Sequence, residues 1–308
     1  MKKQLILALK KDILEYIREK KFFLYSGTLL CITIIMILVS RFLPDLMNAA
    51  INNIPHIISN VETIVNTISD LFPNNIKENI GIFSSEIIIF YGSFVIFSTY
   101  NIISNEIKRG KWILPLCSGY KPITLVLSKS IVYPFFIALP CFIFYNFYYL
   151  ICISFLENNY YFTTVIINSF ILFFIIFFSA FATILLSIIY SKPFLSATTM
   201  FVYVAVAPDI FVLFSFGKFL PTHLFSYLYM SGCNFIELII PILLCVVLSI
   251  ILIVLTIRKL PKICMINRFE NWICYFQVLK FIYFLIIILT INKVWIIRFE
   301  ILFNQWKT

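Results

Sequence analysis

The sequence predicts an all-α protein, a polytopic membrane bundle of six transmembrane helices. An amphipathic helix precedes the bundle, and a C-terminal tail follows it. Three observations carry this prediction. Of the 308 residues, 62% are hydrophobic and only 12% are charged, whereas a soluble domain is typically about 45–50% apolar and about 25% charged. Six apolar runs are long enough to cross a hydrocarbon core, which takes about 20 residues of helix. Lys and Arg are distributed unequally between alternate connecting segments, as the positive-inside rule requires.

The N-terminal stretch comes first. Leu5, Ile6, Leu9, Ile13, Tyr16 and Ile17 share one helical face, and Lys11, Asp12, Glu15, Arg18 and Glu19 share the other. A basic amphipathic helix beside a span is expected in the membrane interface, either as a simple anchor or as an elbow that also touches a partner. The apolar start Leu5–Leu9 is too short for a cleavable signal peptide and runs into Lys10 and Lys11.

The six expected spans are residues 22–43, 86–103, 131–155, 164–190, 194–216 and 235–257. Phe supplies 35 residues and Tyr 17, types suited to lipid-facing and interfacial positions. With the N-terminus placed in the cytoplasm, the inner segments hold seventeen Lys and Arg, from Lys2 to Arg268. The outer segments hold Arg41, Lys77 and Lys218. The net charge of +10 then faces anionic lipid, and nucleic acid is not needed as a partner.

Between the first two spans, Ile51, Ile54, Ile58, Val61, Val65, Ile68 and Phe72 repeat at alternating intervals of 3 and 4. That is the period of an amphipathic or coiled-coil-like helix, lying on the outer surface or acting as a lid or dimer contact. In the fifth run, Pro208 and Asp209 form an expected helix break, from which the chain turns back through short re-entrant helices. Residues 1–262 make up the expected transmembrane domain and residues 263–308 the tail. In the tail, Phe281–Ile291 lies between Lys280 and Lys293. Its eleven residues reach only about 16 Å as a helix, so an interfacial helix is expected in preference to a seventh span.

Chemistry-bearing motifs are sparse. There is no GxxxxGK[ST], so no ATP site of the chain's own is expected; Gly110-Lys111 and Gly217-Lys218 lack the required spacing. His56 and His223 are isolated, which argues against a metal site. No two of the eight cysteines have CxxC spacing, and Cys31, Cys141, Cys152 and Cys245 are expected as inert buried thiols. Of the acidic residues, only Glu86, Asp209 and Glu237 come close to the bundle interior, and Glu86 and Glu237 sit at expected outer ends of spans. No catalytic residue and no cofactor is expected.

The most informative stretch follows the second span, from Ser104 to Lys129. It is basic and carries an apolar stripe of its own. Glu106 and Arg109 bracket a turn at Gly110, and Trp112, Ile113, Leu114 and Leu116 suit a short interfacial helix. Gly119, Tyr120 and Pro122 make a second turn, and Lys129 leads into the third span. A short helix held between two turns can be gripped by a partner and can transmit force to both adjoining spans.

These residues resemble an ABC-2-type transporter permease, the membrane subunit of an ATP-binding-cassette exporter. That family commonly carries an acidic residue and a Gly after its second span, then a short helix, a Gly or Pro turn and a Lys. Glu106, Gly110, Gly119, Lys121 and Lys129 match that order, while Lys111 stands where the family usually has Thr. Leu220–Phe225 resembles the family's segment before its last span, and the resemblance covers about residues 1–258.

The resemblance implies a homo- or heterodimer of permeases in the plasma membrane of a bacterium. Each would dock a separate cytoplasmic ABC ATPase through the loop bearing Glu106, Arg109, Gly110, Trp112, Gly119, Lys121 and Lys129. The implied activity is export of a hydrophobic or amphipathic peptide, lipid or drug. Two other classes stand beside it. An ion-coupled secondary transporter needs charge near mid-bilayer, and a membrane scaffold or sensor subunit would not need the Trp112 loop.

Overall fold

The computed structural model describes residues 2–52, 75–156, 161–190, 192–212, 220–228 and 235–264. Every regular element among them is helical. The chain divides into two units, residues 1–246 and 247–308. In order, α1 is Lys2–Arg18 and α2 is Lys21–Asn52. Next come α3, Ile76–Glu86, a π-helical turn, Ile87–Tyr91, and α4, Gly92–Thr99. They are followed by α5, Ile102–Lys108, α6, Ile113–Cys117, and α7, Pro122–Cys152. The remainder are α8, Phe162–Ile189, α9, Pro193–Ala205, α10, Ala207–Val212, α11, His223–Tyr227, and α12, Phe235–Cys264.

Five helical segments are long and apolar enough to cross a membrane: Lys21–Phe42, Ile76–Lys108, Pro122–Cys152, Phe162–Ile189 and Leu238–Leu260. The fifth expected span, 194–216, is instead broken. α9 has 13 residues, a rise of about 20 Å against a hydrocarbon core of about 30 Å. The break falls at Val206, whose N–H donates to the Val202 carbonyl at 3.0 Å. Pro208 then sits in the first turn of α10, where a missing N–H costs nothing. Proline and the break are thus two residues apart.

The second span begins ten residues earlier than the sequence suggested. Asn75 caps α3 by accepting from the Lys77 N–H. Small polar residues that read as loop are packed instead. Asn79 and Ser84 are buried, and the Ser84 hydroxyl donates to the Ile80 carbonyl at 2.7 Å. The stripe from Ile54 to Phe72, His56, Gly217-Lys218 and the tail from 265 to 308 lie outside the described residues. Among the cysteines, Cys141, Cys152 and Cys245 are buried, but Cys31 faces outward, contrary to expectation.

α8 is buried along most of its length and packs against α7, α9, α4 and α5. Ser179, Ala180, Ala182, Thr183 and Ser187 are buried on it; small residues let neighbouring helices approach closely. Between α2, the second span and α7 the contacts are hydroxyl-mediated. Ser40 donates to Asn79 Oδ1 at 3.0 Å and pairs with the Tyr148 hydroxyl at 3.1 Å. The Tyr91 hydroxyl donates to the Ile137 carbonyl at 2.7 Å, and Tyr25 pairs with Ser98 at 2.9 Å. Such interhelical bonds contribute about 0.6 kcal/mol each on average.

Candidate functional site

The charged residues of α1, the 109–121 loop and the start of α7 meet in one cluster. Its centre is Lys129, which is 2% exposed. A lone buried ammonium would be costly, and three carboxylates surround this one. Its Nζ lies 3.1 Å from Asp12 Oδ1, 3.2 Å from Glu15 Oε2 and 2.6 Å from Glu106 Oε1. The Ser128 hydroxyl donates to the second Asp12 oxygen, and the buried Trp112 Nε1 donates to Glu106 Oε2 at 3.0 Å. Both oxygens of Glu106 and both of Asp12 are therefore engaged.

α1 supplies the acids because Asp12 lies on its buried face, with Glu15 half-buried beside it. Ala8, Asp12 and Tyr16 are buried, while Ile6, Leu7, Leu14 and Ile17 are exposed, with Lys3 and Lys10 beside them. Tyr16 packs between Tyr25, Tyr133 and Phe136 at centroid distances of 5.3 to 6.5 Å. The inward acids meet Lys129 because α7 begins at Pro122, not near Ile131. Pro122 occupies the first turn, so Lys129 projects from a helix and not from a loop.

A second tier is more open to solvent. Lys111 Nζ lies 2.7 Å from Glu15 and 3.4 Å from Glu19, and Lys21 lies 2.5 Å from Glu19. Lys21 also sits 4.8 Å above the Tyr133 ring centroid. Burial would raise the Glu15 carboxyl, but the hydrogen bond from Lys111 and the charge of Lys129 outweigh it and hold Glu15 down to about 2. For Asp12 burial prevails, and its carboxyl is raised despite Lys129 and Ser128. The hydrogen bond to Glu15 is the main cause holding the Lys111 ammonium above its ordinary value.

The loop is shaped by two glycines in left-handed conformation, Gly110 at φ +69° and Gly119 at φ +83°. The Gly110 N–H donates to the Ile107 carbonyl at 3.1 Å, and its own carbonyl accepts from the Ile113 N–H at 3.1 Å. Gly119 ends α6 with its N–H on the Leu116 carbonyl at 3.0 Å, and its carbonyl accepts from Gln4 Nε2 of α1 at 3.1 Å. Between these turns, no residue of α6 is buried. Ile113 is 63% exposed and Leu114 81%.

The sequence-predicted residues therefore fall into five places. Glu106, Trp112 and Lys129 join the buried cluster. Gly110 and Gly119 are turns, Lys121 precedes α7 as its N-cap residue, and Arg109 is exposed beside the cluster. Pro208 and Asp209 lie on α10, in a different part of the chain. The sequence reading missed Asp12 and Glu15 as partners of Lys129, and Ser128 with them. Their 3-residue spacing on α1 was a visible signal, but nothing local marks which distant cation they meet.

Comparison with family models, with curated proteins and with solved structures finds no match. The functional reading rests on the geometry alone. Among the described residues, no group of three or more His, Cys, Asp or Glu is placed to hold a metal ion. Three carboxylates around one ammonium tie α1, α5 and α7 together.

Proposed function

We propose that this chain is the permease subunit of an ABC-2-type exporter, inserted in the plasma membrane with its N-terminus in the cytoplasm. α6 docks a separate ATP-binding-cassette ATPase. The observation that supports this reading is the pairing of exposed Ile113 and Leu114 with a rigid base beneath them. The Trp112 indole, next to Ile113, is bonded to Glu106, and Glu106 is bonded to Lys129. A load on α6 thus passes to the second span through Glu106, to α7 through Lys129 and to α1 through Asp12 and Glu15. ATP-driven movement of the ATPase would tilt these helices together and move a hydrophobic or amphipathic cargo outward. The chain forms a homo- or heterodimer, giving two docking helices for two ATPase subunits.

The buried cluster and the docking face are separable by mutation. Ile113→Asp with Leu114→Asp places charge on the exposed face without touching Lys129. The double variant is expected to keep the wild-type thermal midpoint in detergent and to lose co-purification of the ATPase. Retained co-purification and coupled ATP hydrolysis, in this variant and in one replacing Glu106, Arg109 and Trp112 together, would exclude α6 as the coupling helix.

A further inference from the structure

Beside the cluster, and sharing Glu106 with it, lies a polar cleft of about 500 Å³. One wall is a single face of α4 and α5, where Ser98, Asn101, Asn105 and Arg109 follow at intervals of 3 and 4. The other wall carries Lys21 and Lys111. Two acids also line it, and both are committed. Glu19 is held by Lys21 and Lys111, and Glu106 by Lys129 and Trp112. Arg109, by contrast, is exposed and extends from the wall that carries the Asn101 and Asn105 amides. The cleft therefore offers an uncommitted guanidinium and two amides, the donor set for a phosphate group.

Its position identifies the source of that phosphate. Lys21 opens the first apolar span and Lys108 closes the second, so the cleft lies at the level where apolar helix gives way to polar chain. Exposed apolar residues are close neighbours of its lining residues along the chain. Phe97 and Phe23 are exposed, and Phe97 stands next to Ser98 and against Phe194. We infer that the cleft holds the phosphate-bearing headgroup of an anionic glycerophospholipid from the adjacent leaflet. The phosphate meets Arg109, Asn101 and Asn105, and the acyl chains run along Phe97 and Phe194. The site shares Arg109 with the loop proposed to dock the ATPase, but lipid retention is read on the purified chain without any ATPase, so its failure is distinguishable from failure of docking.

The test uses the purified full chain in detergent and measures retained lipid by native mass spectrometry. The probes are added phosphatidylglycerol, phosphatidylcholine and, as the soluble anion, glycerol phosphate. Wild type is expected to retain phosphatidylglycerol in preference to phosphatidylcholine. Arg109→Gln should lower that retention about fivefold, the effect of about one basic residue at an anionic surface. Lys108→Gln removes an equal charge that does not line the cleft and should leave retention unchanged. Asn105→Asp, which sets a carboxylate in the cleft, provides a second loss-of-binding variant, and thermal midpoints check that each variant is folded. Equal losses in the Lys108 and Arg109 variants would overturn the site in favour of diffuse surface charge. Glycerol phosphate displacing phosphatidylglycerol at comparable concentration would overturn the lipid assignment, as would unchanged retention in both cleft variants.

Discussion

At the scale of residues, Lys129 is the group whose removal should be felt most. It is surrounded by Asp12, Glu15 and Glu106, and breaking a buried ion pair from one side costs about 3–5 kcal/mol. Lys129→Met should therefore lower the thermal midpoint in detergent far more than Lys108→Met, an exposed control on α5. A midpoint equal to the control's would show that the carboxylates do not depend on Lys129. Glu15 adds a pH dependence with a defined sign. Its folded value, about 2, lies below its ordinary value of 4.5. Its contribution to stability is thus full above pH 4.5 and is lost as pH falls toward 2. Asp12 is raised, so its contribution runs oppositely, declining as pH rises past its ordinary carboxylate range. Glu15→Gln should flatten the acid limb of the midpoint-versus-pH curve between 4.5 and 2, and an unchanged limb would contradict the assignment.

At the scale of elements, the two turns that present α6 depend on backbone conformation. Gly119 has φ +83° and open space around a would-be Cβ, whereas Gly110 has φ +69° and would set a Cβ 3.2 Å from Ile113 Cδ1. A left-handed non-Gly residue costs about 1–2 kcal/mol. Gly110→Ala pays this and a steric contact; Gly119→Ala pays the backbone term alone. Trypsin should cut faster within 108–121 in both variants, Gly110→Ala the more, while the spans keep their midpoint. Equal cutting in wild type and variants would show that the glycines do not hold α6.

What was legible here followed from local chemistry. The turns at Gly110 and Gly119 and most of the apolar spans follow from residue type and spacing. Other features were not local. The sequence places the start of α7 near Ile131, yet the polar Thr124, Ser128, Lys129 and Ser130 before it are all buried, Ser128 and Lys129 against acids of α1 more than a hundred residues away. In α1 likewise, periodicity finds a polar face but not what covers it.

For the whole molecule, apolar composition made the helical membrane bundle evident, and the broken α9–α10 segment reduced the expected six spans to five among the described residues. The N-in orientation has a direct test in Cys117, which is exposed on α6. In a variant retaining only that cysteine, an impermeant maleimide should label inside-out vesicles and spare intact cells; the reverse pattern would invert the topology.

This chain is proposed to work by docking an ATP-binding-cassette ATPase. That docking is tested most directly by purifying the tagged full chain from the membranes of its own host in mild detergent. The co-purifying proteins are then identified by mass spectrometry, and vanadate-sensitive ATP hydrolysis is measured on the same sample. The account predicts a stoichiometric cassette ATPase, two copies per pair of permease chains, with hydrolysis lost in the Ile113→Asp, Leu114→Asp variant. A purified chain carrying no cassette ATPase and no hydrolysis, while its fold and membrane insertion remain intact, would contradict it.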